Sequence, residues 1–279
     1  MIGETRALMR GHDLTLASAG AAFYGGLTVV PSVLVAVSLA QLVLGRDRLH
    51  AYGSTLAQAL PSAIGADVAA QRLVDAGLTL TPLGVVFAVV VGSAYGEGIS
   101  RALARFAPVD ADSKPRRLLL RAATLPMLGL APLLLASMLL IAPWLARTAA
   151  GSGAGVALAA YVSLNIVWVL TWLPLTWTFR VVGPGRLPWR VAFGGAVVTG
   201  AFVSGFLQGF LVFCSLPIDL ARPFGGLLGV GVACAILLWL WVLHAVVLVG
   251  YAFTWGLQAV LTRREAPSPV AAVAATAGR

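Results

Sequence analysis

The chain reads as long apolar runs separated by short clusters of arginine, proline and glycine. A helix crossing a bilayer needs about 20 predominantly apolar residues, because it advances about 1.5 Å per residue through about 30 Å of hydrocarbon. Six runs meet that requirement: 14–44, 78–96, 118–144, 156–179, 191–213 and 224–257. Pro31 lies in the first run, and Pro126 and Pro132 lie in the third, where a missing N–H and a bulky ring kink a helix. The stretch 49–77 has another character. It mixes Leu56, Leu60, Ile64, Val68 and Leu73 with Asp67, Arg72 and Asp75, which predicts two short helices on the outer interface, broken at Pro61. Residues 151–155 form a glycine-rich outer turn, and 263–279, with Pro267 and Pro269 but no apolar face, are expected to be a disordered tail. No barrel-like alternation and no internal repeat occurs. The expected fold is all-α: one six-span membrane bundle over 1–262.

Orientation follows from the basic residues, which concentrate on the cytoplasmic side of membrane proteins. With the N-terminus inside, Arg6, Arg10, Arg101, Arg105, Lys114, Arg116, Arg117, Arg121, Arg180, Arg186, Arg190, Arg263, Arg264 and Arg279 share that side. Only Arg46, Arg48, Arg72, Arg147 and Arg222 fall outside, so both termini are expected in the cytoplasm. Ser38-Leu39-Ala40 has the form of a leader cleavage site. The apolar run before it exceeds the 7–15 residues of a leader core, so it reads as a span.

Composition agrees with the pattern. Hydrophobic residues make up 59 % and charged residues 10 %, too little polar surface to wet a soluble domain of 279 residues. The net charge of +9 is accounted for by cytoplasmic loops, without a nucleic-acid partner. Cys214 and Cys234 lie in separate apolar runs with no CxxC or Cys/His cluster, so neither a disulfide framework nor a zinc site is indicated.

Three groups of residues resemble the YihY/BrkB family of bacterial inner-membrane proteins. The first span carries Ala21-Ala22-Phe23, Thr28 and Pro31. Between the fourth and fifth come Phe179-Arg180, Pro184, Arg190 and Gly195-Ala196. The last carries Gly225-Gly226, Leu237-Leu238-Trp239 and Gly250. The resemblance implies six spans and an envelope-associated role. Two features depart from the family: Ala252 stands where a glutamate is common, and Arg105 lies near the place of a family asparagine. Some members carry a ribonuclease label, for which the residues here offer no support. A metal-dependent nuclease needs clustered carboxylates or histidines. His12, His50 and His244 are expected inside, outside and mid-membrane, and no nucleophile-elbow, P-loop or HExxH pattern occurs. No enzyme, cofactor or metal site is expected.

Candidate chemistry is therefore sought among polar groups inside the spans, which are costly in hydrocarbon and usually face the bundle interior. His244, Asn165 and Gln208 are the candidates for an interior polar path. A proton relay or substrate contact is weighed there against interhelical packing. Glu97 abuts the second span with Arg101 at i+4, an orientation that favours an ion pair; with Arg180 at the end of span four these form a candidate cytoplasmic gate or ion pair. Gly92/Gly96, Gly205/Gly209 and Gly225/Gly229 have the spacing of close helix contacts. The expected function is movement or redistribution of a small solute or lipid across the membrane. The alternative is a non-transporting assembly or structural protein of the envelope.

Overall fold

The computed structural model describes residues 2–58, 62, 65–108, 118–127, 148, 151, 153–216 and 218–265. Among them the chain is all-α, with no strand, and forms a membrane helical bundle. Helix α1 (Ile2–Met9) precedes α2 (Leu14–Leu44). The start of α2 is fixed by Asp13, whose carboxylate accepts from Leu16 N at 2.9 Å. Its 31 residues extend about 46 Å, more than a hydrocarbon layer requires. Pro31 sits inside without ending the helix.

The pair of short helices expected over 49–77 forms as α3 (Arg46–Gln58) and α4 (Ala66–Leu78). It folds back against the second half of α2. There Val37, Ala40, Leu49 and Leu78 make a small separate core, and a side-chain carbon at Gly77 would stand 2.6 Å from Val37. Pro61 lies outside the described residues.

The second span is longer than its apolar run suggests. It comprises α5 (Pro82–Gly92) and α6 (Ala94–Ala104), joined at Ser93, so it ends near 104 rather than 96. Thr81 caps its start through Gly84 N at 3.1 Å, with Pro82 at the first helical position, where a missing N–H costs nothing. Past Gly96 the helix is held by Ile99, Ala102 and Leu103, all buried in the main core. Of the expected third span only α7 (Leu118–Met127) is described; 128–147 lies outside the described residues. Helix α8 (Gly153–Trp177) runs into a π turn at Thr178–Val182, so the fourth span continues beyond Phe179. Helix α9 (Trp189–Ser215) follows. The last helix, α10 (Leu228–Glu265), carries the chain into what the sequence assigns to the tail; 266–279 lies outside the described residues.

The main core lies where α2, α6, α9 and α10 meet, around Ala21, Leu103, Phe179, Leu187, Ala196, Leu248 and Tyr251. Arg263 near the end of α10 pairs with Glu4 of α1 at 2.6 Å, which brings both helices to one end of the bundle. The same end holds the α8–α9 loop, because the Tyr251 hydroxyl donates to Pro184 O.

Gly96 of the expected Gly92/Gly96 pair does admit a close neighbour, α7, but between α9 and α10 close approach is built from glycine and threonine outside the expected pairs. Thr254 of α10 presses on Gly195 of α9, and Thr199 of α9 presses on Gly250 of α10. Each threonine hydroxyl is spent on its own helix, Thr254 to Gly250 O and Thr199 to Gly195 O, both at 2.7 Å. Gly205 and Gly229 face open space, and Gly225 ends a 3-10 turn with φ +63°, outside α10.

Candidate functional site

A buried polar contact links α6 and α10 beside α2. His244 is 6 % exposed. Its Nδ1 stands 2.6 Å from Leu240 O one turn back, and its Nε2 stands 3.0 Å from the Tyr95 hydroxyl. A carbonyl only accepts, so Nδ1 carries the proton; in the neutral ring Nε2 then accepts from Tyr95. Gly25 of α2 makes room for the ring, since a side-chain carbon there would lie 2.9 Å from His244 Cε1. Gly98 of α6 likewise accepts the ring of Tyr24 from α2. Two glycines thus set the spacing at which Tyr95 reaches an imidazole 149 positions away in sequence.

Glu97 lies two residues further along α6, and its side chain is 7 % exposed. Because the helix continues to Ala104, Glu97 sits about 10 Å inside it rather than at its edge. Arg101 pairs with it from the next turn, as its i+4 spacing predicts, and Arg121 of α7 approaches with Nε 3.5 Å from Oε2. The arginine side chains are 52 % and 40 % exposed. A carboxylate buried without a counter-charge would cost several kcal/mol, and among the described residues the half-exposed guanidinium groups of Arg101 and Arg121 offset that cost. Gly96 lets α7 close in by receiving Thr124 and Leu120, and Thr124 Oγ1 stands 3.4 Å from Ser93 O. Tyr95 and Glu97 lie about 200° apart around α6, so the tyrosine–histidine contact faces α10 while the carboxylate with its arginines faces α7, and α6 carries a polar region with two opposite faces.

The remaining predicted residues do not join it. Gln208 of α9 donates to Ser163 Oγ of α8 at 2.9 Å. Asn165 donates to Tyr161 O of its own helix at 2.8 Å. Gln208 belongs to the α8–α9 seam, which is further tied by Trp168 Nε1 to Val197 O and Ser204 Oγ to Leu164 O, whereas the Asn165 bond stays within α8. The shared path expected for His244, Asn165 and Gln208 is thus corrected to separate contacts. Apolarity placed all three in spans but carried nothing about which helices face each other. Arg180, in the π turn, stacks over Trp189 with Cζ 5.4 Å from the ring centroid, away from the Glu97 pairs.

The three histidines occupy three levels: His12 against Phe106, His50 3.4 Å from Asp75, and His244 between them in depth. Among the described residues no three His, Cys, Asp or Glu side chains gather as a metal site would require. Ala252 is fully buried beside Tyr251 and contributes packing only. Tyr95, Gly25 and Arg121 are the site residues that sequence reasoning passed over. Arg121 had a signal, a lone charge in the first turn of an apolar run; Tyr95 and Gly25 had none, because their importance depends on a partner helix.

Compared with known proteins, residues 7–275 match the family model described as Virulence factor BrkB. No curated protein and no solved structure matches the chain.

Proposed function

The chain belongs to the Virulence factor BrkB family, and from that premise we propose that it moves or redistributes a small solute or a lipid across the bacterial cytoplasmic membrane. In this reading the arginine-rich end faces the cytoplasm, with both termini. No catalytic centre, cofactor or metal takes part. One observation carries the reading: within one stretch of an apolar span, α6 buries Tyr95 against His244 on one face and Glu97 against Arg101 and Arg121 on the opposite face. Hydrogen-bonding and ionisable groups at that depth are costly, and they characteristically mark substrate or ion pathways.

A second reading has its own support. Both nitrogens of His244 are occupied and Gly25 closes against the ring, which suits a helix-locking contact in a non-transporting envelope assembly protein. Purified protein reconstituted in liposomes, assayed with a panel of ions and labelled lipids, separates the two. Transport predicts flux above empty liposomes for at least one member of the panel, reduced in His244→Ala and unchanged in His12→Ala at equal incorporation. Liposomes holding wild-type protein that match empty ones across the panel would overturn transport and leave the assembly reading standing.

A further inference from the structure

The α8–α9 connection holds a concentration of charge that the polar region of α6 does not use. The π turn Thr178–Val182 ends α8 with Arg180, and the chain then passes through Gly183, Pro184 and Gly185 to α9. This loop is pinned. Gly185 adopts φ +82°, Tyr251 donates to Pro184 O, and Leu187 is fully buried in the main core. Three guanidinium groups stand on that fixed frame. Arg186 and Arg190 are exposed, while Arg180 is part-buried over the ring of Trp189. None pairs with a carboxylate among the described residues, and Arg180 Nε is buried there without a hydrogen-bond partner. Trp189 is 52 % exposed, and Val181 and Phe193 beside it are 36 % and 47 % exposed.

Uncompensated guanidinium groups select phosphate oxygens, because their planar donors match that geometry. A half-exposed indole flanked by bare apolar side chains belongs at the boundary between headgroups and acyl chains. A soluble anion would use the first feature and leave the second without purpose. We infer that the α8–α9 loop binds the phosphate of an anionic phospholipid headgroup, with Arg180, Arg186 and Arg190 as its cations and Trp189 as the wall against the acyl chains. The inference goes beyond the transport reading and stands whether or not the protein carries a substrate.

The test uses the full chain purified in detergent and exposed to mixed micelles of phosphatidylglycerol and phosphatidylcholine, with retained lipid read by mass spectrometry. Wild type should retain phosphatidylglycerol above its input ratio. The double variant R186Q/R190Q alters two exposed side chains, and it should lower that enrichment by about fivefold per arginine removed. R180K keeps the charge but loses the planar stack on Trp189, and it should fall between the two. R6Q/R10Q removes the same charge from exposed positions in and just after α1 at the same end and should leave the enrichment unchanged. Equal retention of both lipids, or an equal loss in R6Q/R10Q, would overturn the inference. So would inorganic phosphate that displaces the lipid and binds equally well without it.

Discussion

Tyr95 and His244 hold each other in a way that removing either one exposes. Without the hydroxyl, His244 Nε2 is left in a buried position with no other place for its lone pair; without the imidazole, the phenol loses its acceptor. Interhelical hydrogen bonds in membranes contribute less than burial alone suggests, about 0.6–2 kcal/mol, because the separated helices find other partners. Tyr95→Phe and His244→Ala should therefore each destabilise the folded protein, His244→Ala more because it also empties the space against Gly25. The double variant should fall short of the sum by about 0.6–2 kcal/mol. Unfolding of the four proteins in detergent micelles by a graded denaturing surfactant measures this. Strict additivity would mean the contact contributes nothing, and neither functional reading could then be built on it.

At the scale of elements, the positions of the spans were legible and their partners were not. Long apolar runs identify a crossing helix whatever it packs against, so α2, α8, α9 and α10 appear close to where the runs lie. The Glu97–Arg101 pair was also legible, being local to one helix face. The α9–α10 seam was hidden, because glycine spacing records a missing side chain without saying whether a neighbour fills the gap. Gly205 and Gly209 have the expected interval, yet Gly205 meets nothing and Gly209 makes only ordinary contact with Trp239. Gly195 and Gly250 have no such interval, and each receives a threonine from the other helix. The same reasoning explains why Gln208 does not meet His244: its polarity is visible in the sequence, and the facing of α8 on α9 is not. The difference yields a matched comparison. Gly195→Leu and Gly250→Leu force four carbons between closely packed helices, where overpacking costs about 1–3 kcal/mol or more. Gly205→Leu enters open space and gains helix propensity of up to about 1 kcal/mol. Monodispersity and melting temperature after membrane extraction should collapse for the first two and hold or rise for the third. A damaging Gly205→Leu would show that another surface covers α9 at that point.

For the whole molecule, the decisive relations are which helix ends share a face. The pair of Arg263 with Glu4 puts the start of α1 and the end of α10 together, and His12 against Phe106 brings the end of α6 to the same level. Tyr251 on Pro184 adds the α8–α9 loop. Helix α8 reaches that face with its C-terminal end; with its π turn it spans about 45 Å, so its first residues belong at the opposite face. The chain leaves α6 at one face and enters α8 from the other, and only an odd number of crossings between residues 104 and 153 allows that. The apolar run 118–144 is long enough for one, so the expected layout is six crossings with the arginine-rich connections on one side, as the basic-side rule requires. Single cysteines in a background lacking Cys214 and Cys234, probed with a membrane-impermeant maleimide on intact spheroplasts, test the layout. Thr55→Cys and Gly151→Cys, both at exposed positions, should label from outside; Arg105→Cys and Arg186→Cys should label only after the membrane is opened. If Gly151→Cys instead behaves like Arg105→Cys while Arg186→Cys labels from outside, the chain crosses five times. The arginines around Glu97 and those around Trp189 would then not share one side of the membrane, and the face assigned to the cytoplasm would lose its basis.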